Sequence, residues 1–245
     1  VTSRVYRLEE SDRLQRPAVF PKTDRFYHRP EKLAQLFPLD QYDLESNILE
    51  RPKALVYEAT NFVMGSARAF PDVSVNWPEG SYLIEFVATD DQGREVKLMQ
   101  TFRLFDKMTK KAPNKQTAWF YLDKSTALPG DTLTLYIASA AKGSRVLVEV
   151  FSGTELRYSS WHPTGNKKMA IPYIVKEEDR GQLQIQAVLV RHNRMHTFSQ
   201  MIDVPFTNKM LDIRLETFRQ KITPGAEENW IIHIRGKEKE KVVAE

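Results

Sequence analysis

A strand, a loop containing Pro-Gly and a second strand occur twice in this chain of 245 residues. The first copy includes STALPGDTLTLYI, residues 125–137, and the second includes QKITPGAEENWIIHI, residues 220–234. In both copies Pro-Gly and at least one acidic residue precede a run of alternating apolar and polar side chains. The alternation predicts half-buried β-strands. Proline presets φ and glycine supplies the turn, so we interpret Pro129-Gly130 and Pro224-Gly225 as structural turns.

A second feature repeats with nearly the same period. Gly80 begins a long predicted hairpin that ends at Phe105 and turns at Asp90-Asp91-Gln92-Gly93, and Gly181 begins another that ends at Phe206. The two glycines lie 101 positions apart (181 − 80), and the Pro-Gly pairs lie 95 apart (224 − 129). These two features indicate a β-sandwich unit of about 95 to 105 residues, repeated along the chain.

The alternating runs between residues 116 and 206 number seven, which is typical of an immunoglobulin-like sandwich. We therefore predict an all-β fold of tandem sandwiches: the C-terminal part of one in 1–107, a complete one in 116–206, and the opening strands of a third in 208–245. The polar segment DKMTKKAPNKQT, residues 106–117, is the predicted linker.

The first unit contains a proline-rich segment at about 9–52, which we predict to be an insertion. Within it PEKLAQLF is predicted to form a short helix, because Pro30 suits a first helical turn and Pro38 ends the helix.

Alternation also predicts which side chains face the core of the complete sandwich. Leu133, Leu135 and Ile137 alternate with polar residues in one strand, and Trp119 and Tyr121 alternate in the strand before it. We predict that all five face inward, where burial of each large side chain stabilises the fold by roughly 1.5–3 kcal/mol.

Composition restricts the function classes. The chain has no cysteine, which excludes disulfides, thiolate metal sites and a cysteine nucleophile or thioester within these residues. The net charge of +4 is mild and the basic residues are spread among acidic ones, so we expect no nucleic-acid surface. No apolar run of about 18 residues occurs, so we expect no membrane span. Since Val1 is not an initiator methionine, we expect an excised or processed part of a longer protein, with any signal peptide outside it.

The repeated motifs resemble macroglobulin domains of the alpha-2-macroglobulin family, especially its bacterial branch. YLDKSTALPGDTLTLYIASAAKGSRVLVEV resembles the opening of such a domain, LDIRLETFRQKITPGAEENWIIHIRG resembles the opening of the next, and WPEGSYLIEFVATDDQGREVKLMQTFRLFD is similar to the closing hairpin. The resemblance covers most of residues 52–245 and is poorest from Glu9 to Pro52, although bacterial members carry helical insertions. It implies tandem macroglobulin-type sandwiches with a short helical insertion in the first.

The resemblance also implies a function, that of a modular protease inhibitor. In this family macroglobulin domains stack into a ring or cage, which closes around a protease that has cut a bait segment. Many members carry a thioester between Cys and Gln in a separate helical domain, and a chain without cysteine would be non-catalytic scaffold. The resemblance implies neighbouring macroglobulin domains as partners, target proteases as indirect partners, and a place in the bacterial periplasm or at the outer-membrane or cell surface. The alternative is a cell-surface adhesin or carbohydrate-binding array of sandwiches.

Candidate ligand residues are Trp161 and His162, at a predicted strand end before the turn Pro163-Thr164-Gly165. An aromatic side chain there could contact a sugar, whereas the structural alternative is a tryptophan packed at the sandwich edge. His192 and His196 have the spacing of a helical zinc pair, but they fall at a predicted hairpin tip with no third ligand nearby in sequence. We therefore expect no metal.

The acidic residues fall in predicted turns and linkers, and we interpret adjacent acids such as Glu177-Glu178-Asp179 as solvated. Glycoside hydrolysis needs two converging carboxylates, and Asp90 and Asp91 lack the ligand cluster that calcium needs. No phosphate-binding loop or nucleophile elbow occurs. We expect no enzyme activity, no catalytic residue and no cofactor. The positions predicted to matter are structural turns: Gly80, Pro129, Gly130, Gly181, Pro224 and Gly225.

The incomplete units carry one further expectation. A first unit without its opening strands and a last unit without its closing strands would each leave sheet edges and apolar faces uncovered, and such edges recruit partners. We expect head-to-tail self-association, in which residues 208–245 of one copy complete the first unit of another.

Overall fold

The computed structural model describes residues 1–17, 29–42, 45, 47–60, 77–209, 212–215, 225 and 231–235. The described part of the chain is nearly all β, with one short α-helix, as predicted. The strands are β1 Thr2–Leu8, β2 Lys53–Ala59, β3 Gly80–Thr89, β4 Glu95–Leu104, β5 Trp119–Leu122, β6 Thr132–Ser139, β7 Arg145–Ser152, β8 Glu155–Pro163, β9 Lys167–Ile174, β10 Gly181–Arg191, β11 Arg194–Val204, β12 Asp212–Leu215 and β13 Ile232–Arg235. Helix α1 is Pro30–Leu36, and short 3₁₀ helices occupy Ile48–Glu50, Glu177–Asp179 and Thr207–Lys209.

Strands β5 to β11 form a two-layer sandwich and include all seven strands predicted between residues 116 and 206. One layer has the order β5-β6-β9 and the other β11-β10-β7-β8, and every pair is antiparallel. β8 pairs with β7 rather than with β9, which differs from the constant-type immunoglobulin domain, where the fourth strand joins the sheet of the first two.

The core of the sandwich consists of the alternate residues that face between its two layers. Leu133, Leu135 and Ile137 of β6 are buried there, as predicted. The opposite layer contributes apolar side chains at every second position, including Val146, Val148, Val150, Leu183, Ile185 and Leu189.

The prediction that Trp119 and Tyr121 face inward was wrong. Phe120 and Leu122 contact the core instead, so Trp119 and Tyr121 lie on the outer face of the β5-β6-β9 sheet. Both alternate sets in β5 are apolar or aromatic, and the two-residue period alone therefore does not decide which set faces the core.

The first sheet is arranged like the larger layer of the sandwich. Its order is β2-β1-β3-β4, all antiparallel, which matches β8-β7-β10-β11 strand for strand. The register shifts between Val5 and Tyr6 in β1, and between Val150 and Phe151 in β7. Each shift is a β-bulge, a feature that belongs to a particular fold rather than a random defect. The two sheets are therefore repeats of one structural element.

The bulges also locate the insertion. Val5 corresponds to Val150, an offset of 145 positions (150 − 5). Their cross-strand partners Tyr57 and Tyr158 are offset by 101 positions (158 − 57). The difference of 44 positions (145 − 101) equals the length of segment 9–52. The insertion thus lies between the counterparts of β7 and β8, which the sandwich joins by a two-residue turn.

β12 and β13 form an antiparallel pair that matches β5 and β6. Leu215 faces Ile232 in the same way as Leu122 faces Leu135. Gly130 and Gly225 have φ of +92° and +84°, a left-handed conformation that favours glycine. Pro224 lies outside the described residues. How these sheets divide into independent domains stays a prediction.

Candidate functional site

The most extensively built region outside the core is the junction between the first sheet and the sandwich. Phe105 follows β4, and its ring centroid lies 4.8 Å from that of Trp119, 4.9 Å from that of Tyr121 and 5.8 Å from that of Tyr136, all edge-on. The ammonium group of Lys168 lies 5.2 Å from the Phe105 ring centroid. The end of the first sheet therefore packs against the aromatic residues on the outer face of β5 and β6.

The segment predicted to be a linker is bonded to the sandwich along its length. The backbone N–H of Lys168 donates to the carbonyl of Lys110 at 2.8 Å, and the Lys168 amino group donates to the carbonyl of Asp106. Burial lowers the pKa of the Lys168 amino group. Further along, the N–H of Ala140 donates to Gln116 O at 2.9 Å. These bonds fix the path of the chain between the two sheets.

The insertion contacts the sandwich at its entry to β5. Gln15 N–H donates to Lys115 O at 2.8 Å, and Thr117 N–H donates to Gln15 O at 3.1 Å. The Thr117 hydroxyl donates to the same carbonyl at 3.0 Å. Gln15 is buried and forms a parallel bridge with Gln116. The insertion is therefore held to the sandwich by a short stretch of parallel backbone pairing.

The tip of the β10–β11 hairpin also rests on the insertion. His192 and Asn193 have φ of +50° and +57°, the values that a two-residue type I′ turn requires. Arg16 donates to the carbonyl of His192 and forms an ion pair with Asp40, and Arg194 Nη2 lies 3.7 Å from the same Asp40 carboxylate. The Arg16–Asp40–Arg194 cluster therefore binds the hairpin tip to the insertion.

His192 lies in the turn and His196 in β11, and the pKa values of both are lowered by their surroundings. Burial and the nearby Arg194 lower the pKa of His196. Burial, together with Arg191 and Arg16, lowers the pKa of His192. Within the part of the chain that the structure describes, no group of three or more His, Cys, Asp or Glu residues could hold a metal ion.

Trp161 and His162 do not converge, because adjacent residues of β8 point to opposite sides of the sheet. Trp161 is 55% exposed on the outer face, opposite Leu147, and the Arg145 guanidinium lies 5.7 Å from its ring centroid. His162 lies on the inner side, its ring bonded to the Tyr158 hydroxyl at 2.8 Å, and burial lowers its pKa. A ligand on the outer face would therefore contact Trp161 without His162.

Trp161 belongs to an apolar patch on the outer face of the β11-β10-β7-β8 sheet. Leu147 faces both Trp161 and Val188, and the neighbouring row contains Val190 opposite Met195. Val190 and Met195 are exposed. An outward sheet face is usually polar in an isolated sandwich, so this patch is a candidate contact surface.

A buried polar cluster, which the sequence did not predict, surrounds one of the acidic residues. Asp179, interpreted as solvated, is completely buried. The Tyr173 hydroxyl and the Lys176 N–H each donate to Asp179 Oδ2 at 2.9 Å, and Arg157 Nε lies 3.5 Å from Oδ1. Burial and the bond to Asp179 raise the pKa of Tyr173. Arg157 is the extra residue of the β8 bulge. The bulge, which the sequence did not predict, places the Arg157 side chain beside Asp179.

A cleft of about 480 Å³ lies where the insertion leaves β1 and rejoins β2. Glu9 and Glu10 contribute its carboxylates. Glu10 already accepts hydrogen bonds from Ser81 N–H at 2.8 Å and from Arg103 at 2.9 Å. Glu10 therefore joins the beginning of the insertion to β3 and β4.

Two of the predicted turn glycines begin strands and two lie in the connections between strands. Gly80 and Gly181 begin β3 and β10, and Gly130 lies in the loop between β5 and β6. Gly225 lies between β12 and β13.

Comparisons with known proteins do not assign the chain to a family. The chain matches no model of a known protein family, and no curated protein is detectably similar to it. No helix among the described residues is long and apolar enough to cross a membrane.

Proposed function

We propose that this chain is non-catalytic scaffold of a bacterial alpha-2-macroglobulin-like protein and contributes to protease inhibition by trapping. The carrying observation is the repeated sheet, with its bulge at the corresponding place, joined to the sandwich by packed contacts. Contacts of Phe105, of the linker and of the Arg16–Asp40–Arg194 cluster fix the two repeats to one another. Such fixed junctions suit a scaffold that encloses another protein.

The proposal also names the binding partners of the chain and its cellular location. The direct partners are neighbouring macroglobulin domains of a longer protein, and the proteases are contacted through the assembled cage. Head-to-tail association of the isolated chain belongs to the same proposal. The protein acts in the periplasm or at the outer-membrane or cell surface of a bacterium, where foreign proteases arrive.

The complete coding sequence tests this proposal. We expect a protein several times longer than 245 residues, with further sandwich repeats at the same period and a downstream helical domain. A coding sequence that ends near residue 245 would contradict the proposal.

A second function is favoured by one observation, the exposed apolar patch around Trp161. An adhesin or carbohydrate-binding array would use this aromatic side chain to stack on a sugar ring. Glycan-array binding that Trp161→Ala abolishes would favour this function. Met201→Ala is the matched control, because Met201 is exposed on the same face of the same sheet at a distance from the patch.

A further inference from the structure

An exposed aromatic side chain and an unpaired cation lie side by side on the outer face of the β11-β10-β7-β8 sheet. Trp161 is 55% exposed, and the Arg145 guanidinium lies 5.7 Å from its ring centroid. Arg145 is exposed, and its side chain makes no ion pair or hydrogen bond with any described residue. Cation–π attraction holds the guanidinium near the ring. An anionic group of a ligand that contacts Trp161 therefore meets an unpaired positive charge.

A row of polar side chains borders the aromatic ring on the side away from Arg145. The outward pair that follows Trp161 along β7 and β8 is Ser159 and Glu149. Gln186 of β10 continues this row as the cross-strand partner of Glu149. Successive outward rows are about 7 Å apart, because a strand rises about 3.3 Å per residue. The face thus presents a cation, an apolar platform and a row of hydrogen-bonding groups, in that order.

The polar row is only partly used within the chain. The Ser159 hydroxyl donates to Glu149 Oε1 at 3.3 Å, which engages one of the two carboxylate oxygens. The Gln186 side chain makes no hydrogen bond within the part of the chain that the structure describes. A ligand can therefore bond to both an acceptor and a donor beside the aromatic ring.

The corresponding positions of the first sheet are paired with one another instead. Arg4 corresponds to Glu149 and Glu58 to Ser159, by the offsets of 145 and 101 positions that the bulges define. Arg4 Nε lies 2.7 Å from Glu58 Oε1. The free polar row is therefore a property of the sandwich and not of the repeated sheet. A contact between successive repeats would use positions that the repeats share, so such a contact does not explain this face.

The modules on either side of the sandwich contact it elsewhere. The first sheet packs through Phe105 on the outer face of the other layer, β5-β6-β9. The sandwich joins the first sheet at the end of β4, so a following module of the repeat would join at the end of β11, beside Val204. Arg145 and Trp161 lie toward the opposite end of the sheet. The face therefore stays accessible in a longer array of such modules.

The charges on this face distinguish between classes of ligand. An anionic membrane or a strongly acidic peptide would bring negative groups against Glu149 as well as against Arg145, and like charges in contact are unfavourable. A carboxylated sugar unit combines one negative charge with an apolar ring face and several hydroxyl groups. Its charge complements the single unpaired guanidinium, and its hydroxyl groups complement the polar row.

We propose that this face binds a glycan that carries carboxylated sugar units. The ring of one unit packs on Trp161, and its carboxylate accepts hydrogen bonds from Arg145 in the bidentate geometry that guanidinium groups favour. Its hydroxyl groups bond to Glu149 and Gln186. The proposal rests on the carbohydrate-binding function proposed for the Trp161 patch and names its ligand, and it does not depend on protease trapping.

The test is an oligosaccharide array that carries uronic-acid and sialic-acid glycans, each beside its methyl ester. Esterification removes the charge and leaves the sugar ring and its hydroxyl groups in place. We expect the chain to bind at least one carboxylated glycan and not its ester. Arg145→Gln should raise the Kd for that glycan, measured by titration calorimetry, roughly ten- to a hundredfold, because a charge-assisted hydrogen bond is lost.

Two further variants separate this site from a general effect of charge. Lys124→Gln removes an exposed positive charge at the opposite end of the sandwich, next to Ser125, whose carbonyl accepts from Asp203 N–H, and should leave the Kd unchanged. Glu149→Ala should weaken binding of the carboxylated glycan, because contacts to its hydroxyl groups are lost. A polyglutamate peptide or a phosphatidylglycerol vesicle, by contrast, would bind Glu149→Ala more tightly than the unsubstituted chain.

The outcomes separate this proposal from the function on which it rests. Binding of neutral glycans alone, equal binding of a glycan and its ester, or normal binding by Arg145→Gln would overturn the proposal and leave the carbohydrate-binding function standing. Binding of no glycan, or of polyglutamate or vesicles in preference to glycans, would overturn both. Near-ultraviolet circular dichroism should be unchanged in the three variants, because the substituted side chains lie on the surface.

Discussion

At the level of single residues, Asp179 makes the clearest energetic prediction. Its carboxylate accepts hydrogen bonds from Tyr173 and from the Lys176 backbone and is completely buried. Asp179→Ala leaves these donors without a partner, and each unsatisfied buried group costs roughly 1–3 kcal/mol. We expect the free energy of unfolding, measured in urea, to fall by about that amount. Glu178→Ala, an exposed neighbour, is the control and should leave it nearly unchanged.

Asp90 makes a prediction about pH. Its carboxylate accepts hydrogen bonds from the backbone and side chain of Arg94, and these bonds lower the pKa of Asp90. Because the pKa is lower in the folded state than in the unfolded state, the stabilisation is complete above the unfolded-state value and is lost as the pH falls through the folded-state value. Asp90→Ala should therefore destabilise the chain near neutral pH and make little difference in strongly acidic buffer.

Urea midpoints of the Asp90 variant at the two pH values provide the measurement. Asp91→Ala, in the same turn, serves as the control. A stability difference for Asp90→Ala that is equally large in acid would show that the ionised carboxylate is not the cause.

At the level of elements, the strands were more predictable than their faces. Alternation identified β6 and its inward residues because polar and apolar positions differ there. In β5 every position from Trp119 to Leu122 is apolar or aromatic, so only the packing of Phe120 against the opposite sheet decides the inward set.

The repeat itself was only partly visible in the sequence. The period was detected from Gly80 and Gly181, but the sequence did not show that segment 9–52 separates the counterparts of β7 and β8. The matching bulges revealed it, and a bulge depends on pairing between strands that no single strand encodes. The candidate contact sites were less predictable, since Trp161 and His162 are neighbours in sequence but lie on opposite faces.

The contact between the insertion and the hairpin tip makes a prediction at this scale. Asp40 bridges Arg16 and Arg194, and all three side chains are mostly buried. Asp40→Ala leaves two guanidinium groups without their shared partner, so the tip should detach locally. We expect faster amide hydrogen exchange at residues 191–194 and no change at β6. Glu95→Ala, an exposed acid of β4, should change neither region, and unchanged exchange at the tip in Asp40→Ala would contradict the assigned role.

At the level of the whole molecule, Phe105 couples the first sheet to the sandwich. Phe105→Ala removes three aromatic contacts, each contributing about 0.5–1.5 kcal/mol beyond its buried area. The relative orientation of the two parts should then vary more, and small-angle scattering of a dilute, monomeric sample should show a broader distribution of dimensions. Met108→Ala, at an exposed position of the same linker, should scatter like the unsubstituted chain.

Under the proposed function, the packed junctions and the repeated sheet belong to a scaffold whose partners are other modules of the same kind. Protease trapping requires that such modules enclose a protease without blocking its active site. The most direct measurement is therefore protease activity in the presence of the full-length protein, with a small peptide substrate and a large protein substrate in parallel. We predict that cleavage of the large substrate is lost and cleavage of the small one is retained. Equal loss of both activities, or loss of neither, would contradict the account.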